Sequence, residues 1–138
     1  MKFTIYQASR QGGRKNNQDR VAYSYSREAL LMVVADGMGG HMHGEIAAQI
    51  AVQTLTDQFQ KMAKPRLDDP MAFLADATTR ANYAINDYAV EQDLLEIPHT
   101  TIVVAVVQDN TAYWAHVGDS RLYLFSDGGL IARTEDHT

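Results

Sequence analysis

The chain contains no cysteine, only three prolines and a single tryptophan among its 138 residues. The lack of cysteine excludes disulfides and thiolate metal sites, so a metal ion would have to bind through oxygen or nitrogen. The N-terminus has no apolar signal-peptide region, and no apolar run approaches the length that spans a membrane. We therefore expect a soluble, cytoplasmic protein with no membrane partner.

Basic residues are also in the minority, with 12 Lys and Arg against 17 Asp and Glu and a net charge of -5. This balance argues against a general nucleic-acid binder, which needs a basic face. Hydrophobic residues make up 46% of the chain and charged residues 21%, which is an ordinary globular composition. The length suits one domain, residues 1–138.

The apolar pattern changes twice along the chain, from strands to helices and back to strands. Two segments with helical spacing occupy the middle of the chain, residues 45–62 and a segment that begins at Asp69-Pro70 and closes at Ile97-Pro98. This order predicts an α+β fold, with antiparallel sheets and an antiparallel helix pair on one face. The predicted strands are residues 3–8, 21–26, 30–35, 101–107, 111–117, 121–125 and 130–133, the later ones forming a β-meander.

Asp36 stands at the end of the unbroken apolar run of residues 30–35 and is followed by a glycine-rich segment. Such a run predicts a strand buried on both faces, which would carry Asp36 to the edge of the core. A carboxylate fixed beside exposed carbonyls suits a hard divalent cation. Taken alone, the pattern is somewhat more typical of a turn with Asp at its first position, and the metal site gains support only from other carboxylates in similar settings.

Asp36 belongs to one of three polar clusters that lie at predicted strand ends or loops. The other two contain Asp19, just before a strand, and Asp119, next to Gly118. Three aspartates brought together would form an all-oxygen site for Mg²⁺ or Mn²⁺, able to generate hydroxide from bound water at neutral pH. An arginine nearby would bind phosphate oxygens in bidentate fashion.

The clusters, in this order, resemble the motifs of the type 2C (PPM) metal-dependent protein serine/threonine phosphatases of bacteria. The resemblance runs from about Arg14 to the last residue. The matching elements are Arg14-x-x-Asn17-x-Asp19, Val34-Ala35-Asp36-Gly37-Met38-Gly39-Gly40-His41, Thr100-Thr101, Ala115-His116-Val117-Gly118-Asp119-Ser120-Arg121 and Thr134-x-Asp136-His137. The resemblance implies that this sheet and helix pair form part of an α-β-β-α sandwich.

The resemblance also implies a role for each matching residue. Asp36 would bridge two metal ions, and Gly37 would offer its backbone carbonyl to one of them. Asp19 would hold metal-bound waters from the outer shell. Arg14 would bind the substrate phosphate, and Asp119 would contribute to a third, weaker metal site. The water between the two metals would attack phosphorus directly, without a phosphoenzyme.

The chain departs from the family's pattern at several positions. Met38 follows Asp36-Gly37 where some members place the histidine that acts as general acid, and His41 lies three residues further on. His99 precedes the two threonines where the family usually has glycine. The family's C-terminal half supplies two more aspartates, in an Asp-Gly and an Asp-Asn motif, which this sequence does not contain at the corresponding place.

From the resemblance we expect residues 1–138 to be the N-terminal part of a truncated phosphatase catalytic domain. The intact domain would hold two or three Mg²⁺ or Mn²⁺ ions. Losing two ligands lowers both coordination number and charge, so we expect weak or absent metal binding and little or no activity in this piece. Its exposed strand edges would favour dimerisation with another chain.

Phosphorylated proteins are the substrates that the resemblance implies, and a protein kinase would be a partner. A non-catalytic phosphoprotein-binding or regulatory module on the same scaffold is the alternative, and a metal phosphohydrolase for a small molecule is a third. The presence of Arg14, Asp19, Asp36 and Asp119 favours the enzyme. His41 and His43, near the glycine-rich segment, could suggest a metal-binding pair, but at this spacing on a loop we interpret them as solvated or hydrogen-bonded side chains.

Overall fold

A computed structural model describes residues 19–37, 43–117, 123–126 and 129–133. These residues confirm the α+β class, with two helices between two groups of strands. The predicted strand over residues 3–8 lies outside the described residues. The elements are β1 (Asp19–Tyr25), β2 (Ala29–Gly37), α1 (Gly44–Met62), α2 (Pro70–Glu91), β3 (Thr100–Gln108), β4 (Thr111–Val117), β5 (Tyr123–Ser126) and β6 (Gly129–Arg133).

Strands β1 to β4 form one antiparallel sheet whose spatial order follows the chain. Gly37 lies opposite Thr100 and Ala29 lies opposite Gln108, so the chain leaves the sheet after β2 and returns to the same end at β3. The hairpins that the predicted meander contains are confirmed for β3 with β4 and for β5 with β6. The continuous meander is wrong at one point, since among the described residues β5 and β6 form a separate two-stranded sheet and do not pair with β4.

The two helices form the antiparallel pair that the pattern predicts. Next to the start of α1, the ring of His43 lies edge-on to the ring of Tyr88 near the end of α2, with centroids 6.4 Å apart. At the other end of the pair, the rings of Phe59 and Phe73 meet edge-on at 6.1 Å. Among the described residues, neither helix is long and apolar enough to cross a bilayer.

The starts of the two helices differ in how they are capped. Asp69 is the N-cap of α2 as predicted, since its side chain accepts a hydrogen bond from the backbone N–H of Ala72 at 3.1 Å and Pro70 takes the first helical position. His43 occupies the corresponding position of α1 and makes no side-chain cap hydrogen bond. The start of α1 therefore lacks the local stabilisation that α2 has.

The predicted extension of α2 to Ile97 is wrong, because the helix closes earlier through a backbone motif. Asp93 adopts a left-handed conformation with φ of 52°. Its N–H donates to the carbonyl of Val90 at 3.1 Å, and the N–H of Leu94 donates to the carbonyl of Ala89 at 3.0 Å. This pair of bonds is a Schellman motif, formed here without the glycine that usually marks it.

One face of the sheet packs against both helices and forms the core. Leu31, Val33 and Ala35 of β2 alternate onto this face and are at most 1% exposed. Met62, predicted on the apolar stripe of α1, is 58% exposed because it is the last residue of the helix. The helical side of the core contains Ala47, Ala51, Leu55, Phe59, Phe73, Leu74, Ala77 and Ala81.

The register gives the four-stranded sheet two chemically different ends. The Gln108 end is defined by Ala29 and Gln108, where the loop between the helices also lies. The acidic end lies at the opposite ends of the same strands and is defined by Asp19, Asp36, Gly37 and Thr100.

Candidate metal centre

The acidic end brings two of the predicted site residues together through the backbone register. Asp19, the first residue of β1, lies directly opposite Asp36, the next-to-last residue of β2. Directly opposed residues in an antiparallel pair have Cα atoms about 4.5–5.5 Å apart. Both strands extend further toward this end than predicted, because Asp36 is itself part of the ladder rather than a residue beyond it.

The register thus brings two acidic positions to the same place at the acidic end. Carboxylate and carbonyl oxygens are the ligands that Mg²⁺ and Mn²⁺ prefer. Gly37 follows Asp36 in β2, is buried and lies opposite Thr100 at the same strand end. These donors fit part of a hard-cation site.

The described residues do not form a complete metal site by themselves. Within residues 19–37, 43–117, 123–126 and 129–133, no group of three or more His, Cys, Asp or Glu side chains could hold an ion. Arg14 and Asp119 lie outside the described residues, as do Met38 and His41. β4 ends at Val117, opposite Ile102, and so brings the chain to the acidic end two residues before Asp119.

Thr101 supports Asp36 from the neighbouring strand. It lies opposite Asp36 in the register and is 2% exposed. Its hydroxyl is 3.5 Å from the backbone carbonyl of Asp36, a long contact, and its own carbonyl accepts a hydrogen bond from the Thr100 hydroxyl at 2.9 Å. The sequence motif contained both threonines, and the structure shows that they hold the backbone beside the candidate ligands.

An ion pair between β1 and α1 was not predicted from the sequence. The guanidinium of Arg20 lies 3.9 Å from the carboxylate of Glu45 in the first turn of α1. Arg20 follows Asp19 and lies opposite Ala35, so this contact places the start of α1 beside the acidic end. The available signal was the acidic residue in the first helical turn, which favours a positive partner or the helix N-terminus.

His43 is half-buried, so its side chain is partly in solvent. Its Nδ1 atom, however, is buried and has no hydrogen-bond partner among the described residues. The imidazole contacts the ring of Tyr88, 45 residues further along the chain. No local sequence pattern reports a contact over that separation.

The family model and the similar proteins agree on one family. The family model described as protein phosphatase 2C matches residues 7–138. A putative protein phosphatase 2C-type of Streptococcus pyogenes is 33% identical over 91% of this chain and 51% of its own length. The serine/threonine protein phosphatase PstP of Mycobacterium tuberculosis is 36% identical over 91% of this chain and 23% of its own length.

Solved structures agree with the sequence comparison. The catalytic domain of PstP in complex with two manganese ions aligns with a TM-score of 0.69 at 34% identity, over 85% of this chain and 48% of that one. A bacterial serine phosphatase aligns with a TM-score of 0.79 at 27% identity, over 94% and 53% of the two chains. The chain thus spans about half the length of these two solved chains and of the Streptococcus pyogenes relative.

Proposed function

Because this chain belongs to the protein phosphatase 2C family, we propose that the natural protein carrying it removes phosphate from phosphoserine and phosphothreonine in proteins. The reaction is hydrolysis by water activated at a Mg²⁺ or Mn²⁺ centre. The observation that supports this most directly is the opposed pair Asp19 and Asp36 at the acidic end, with buried Gly37 beside it. The two manganese ions of the PstP structure support the choice of metal.

In this proposal each site residue has one task. Asp36 would hold two ions together with the backbone carbonyl of Gly37, and Asp19 would hold water in the outer shell. Arg14 would bind the phosphate of the substrate, and Asp119 would contribute to a third ion. When bound, the metal pair lowers the pKa of water and stabilises the charge that develops on phosphorus.

The described residues prepare this site by fixing the backbone. The register between β1 and β2 holds Asp19 and Asp36 opposite each other, and Thr101 lies against the Asp36 carbonyl from β3. Because these residues lie at strand ends, their positions are set by the packed sheet rather than by a loop. The pair therefore needs little rearrangement when the cation binds.

The decisive experiment uses the natural protein and a phosphothreonine peptide with Mn²⁺. Asp36→Asn keeps the shape of the side chain and removes its charge, so we expect activity to fall by more than the roughly 100-fold typical of outer-shell changes. Asp87→Asn on the exposed side of α2 is the matched control and should leave activity unchanged. An active Asp36→Asn variant would contradict the assigned role. A natural protein that binds the peptide but never turns it over would favour the binding module instead.

The 138-residue chain by itself is expected to bind Mn²⁺ weakly and to show little or no turnover, since the two C-terminal aspartates of the family's pattern are not in it. Hydrolysis of p-nitrophenyl phosphate measures this with and without Mn²⁺. Robust Mn²⁺-dependent turnover by the 138-residue chain would contradict this prediction.

We also propose that this chain associates with itself through an edge strand. In the part of the sheet that the structure describes, β1 and β4 are the outer strands and each pairs on one side. Light scattering over a concentration series should show a rising mass, and Val117→Lys, at an exposed position of β4, should reduce it if β4 is the edge used. A mass that stays at the monomer value would contradict this proposal.

A cytoplasmic location and a partner kinase stay predictions.

A further inference from the structure

His43 connects the candidate metal centre to the helix pair. Only residues 38–42 separate it from Gly37, and it immediately precedes α1. The pair between Arg20 and Glu45 holds the first turn of α1 beside β1, next to Asp19. The backbone of His43 is therefore anchored close to the acidic end.

The position of His43 is fixed by contacts on both its backbone and its ring. Its carbonyl accepts hydrogen bonds from the N–H groups of Ile46 at 3.1 Å and Ala47 at 3.0 Å, which starts the helix. Its imidazole lies edge-on to Tyr88 with an interplanar angle of 63°. These contacts hold His43 at the start of α1 with its ring against Tyr88, and the residue as a whole is half-buried.

Among the described residues, no polar group uses the Nδ1 atom of this side chain. Nδ1 is buried and has no hydrogen-bond partner among the described residues, and the side chain does not cap α1. Ser, Asn, Asp or Thr would cap the helix, and a phenyl ring would keep the aromatic contact without a buried nitrogen. An unpaired buried polar atom in a native structure calls for a specific partner, such as an unseen water or ion.

We propose that His43 is a positioning residue of the metal centre, with Nδ1 accepting a hydrogen bond from a water molecule of the ion's hydration shell. Water coordinated to a cation offers hydrogen atoms, so its protein partner must be an acceptor. A neutral imidazole with its proton on Nε2 presents such an acceptor at Nδ1. The inference rests on the proposed role of Asp36 as a metal ligand.

Two matched variants of the natural protein distinguish the contribution of the aromatic ring of His43 from that of its Nδ1 atom. His43→Phe keeps the contact with Tyr88 and removes Nδ1, whereas His43→Asn loses the ring and keeps a polar atom near the Nδ1 position. The thermal midpoint without metal and the Mn²⁺ affinity by EPR titration are both measured. We expect His43→Phe to raise the midpoint and to weaken Mn²⁺ binding about 10-fold, the size typical of outer-shell partners. His43→Asn should stay within about 3-fold of the wild-type affinity.

The opposite directions of the two readouts distinguish positioning from a structural role. A lower midpoint for His43→Phe would show that Nδ1 is already paired within the protein and would overturn the inference. Unchanged Mn²⁺ affinity in His43→Phe would overturn it as well. Asp36→Asn in the same titration tests the proposed function separately. If Asp36→Asn leaves Mn²⁺ binding intact, or if the wild-type protein binds no Mn²⁺, then the proposed function and the inference both fail.

Discussion

The Gln108 end and the acidic end belong to the same four-stranded sheet but satisfy their polar groups in different ways. At the Gln108 end, the buried amide of Gln108 donates to the carbonyl of Leu67 and accepts from its N–H, both at 2.9 Å. The carbonyl of Pro65 accepts from the hydroxyl of Ser26 and the N–H of Glu28. The loop between the helices is thereby bonded to the sheet at several points.

The acidic end presents groups that suit a ligand. Asp19 lies opposite Asp36 in the register, and Nδ1 of His43 is buried without a partner among the described residues. A buried polar atom with no protein partner calls for a specific explanation, such as a bound water or ion. We infer that the Gln108 end contributes stability, whereas the acidic end is suited to binding a ligand.

The largest effect is expected from Gln108→Leu at the Gln108 end. The substitution leaves both the N–H and the carbonyl of Leu67 buried and unpaired. Each unsatisfied buried group costs about 1–3 kcal/mol, so the free energy of unfolding should fall by about 2–6 kcal/mol in urea denaturation. Gln60→Leu, at an exposed position of α1, is the control and should change stability by less than about 0.5 kcal/mol. If Gln108→Leu and Gln60→Leu lowered the free energy of unfolding equally, the hydrogen bonds of Gln108 would not be the source of stability at the Gln108 end.

A smaller loss is expected from Thr101→Val, since Thr101 supports the acidic end from a buried position. Valine preserves the shape and the β-branch but removes the hydroxyl beside the Asp36 carbonyl. Stability should fall by about 1 kcal/mol. Thr111→Val, exposed on β4, is the matched strand control. A loss as large as that of Gln108→Leu would mean that this end also contributes strongly to stability.

A metal-dependent effect is expected for Asp36→Asn at the acidic end of the natural protein. The additional stability that saturating Mg²⁺ gives the wild-type protein should disappear in this variant, since a ligand stabilises only the state that binds it. Thermal unfolding with and without Mg²⁺ measures the effect. An Asp36→Asn protein that Mg²⁺ stabilises as much as the wild type would contradict the role of Asp36 as a metal ligand.

The position of Asp36 could be predicted from the sequence because an apolar run bounded by glycine is a local signal. The start of α2 could also be predicted, because Asp69-Pro70 is a local signal. The end of α2 could not be predicted, because Asp93 adopts the left-handed conformation without a glycine to mark it. The roles of Gln108 and His43 were also hidden, since their partners lie 41 and 45 residues away in the chain. Periodicity indicates which face is buried and does not report such pairs.

The smallest effect is expected at the exposed edge of the Gln108 end, where Arg66 and Asp109 form a bidentate ion pair. The hydrogen bond to Asp109 and its charge raise the pKa of the Arg66 guanidinium above its ordinary value. Arginine stays charged at any working pH, so salt rather than pH tests this pair. Asp109→Asn removes the charge and suits the left-handed φ of 56° as well as Asp does.

The midpoint in urea should therefore change less for Asp109→Asn than for the preceding variants, and the difference should vanish in 1 M NaCl, where the Debye length is about 3 Å. Asp109→Ala is the control, since alanine is strained at positive φ and should cost stability at any salt concentration. An Asp109→Asn effect that persists in high salt would mean that hydrogen-bond geometry, rather than charge, holds Arg66 in place. The stability of the Gln108 end would then extend from the buried amide to the surface.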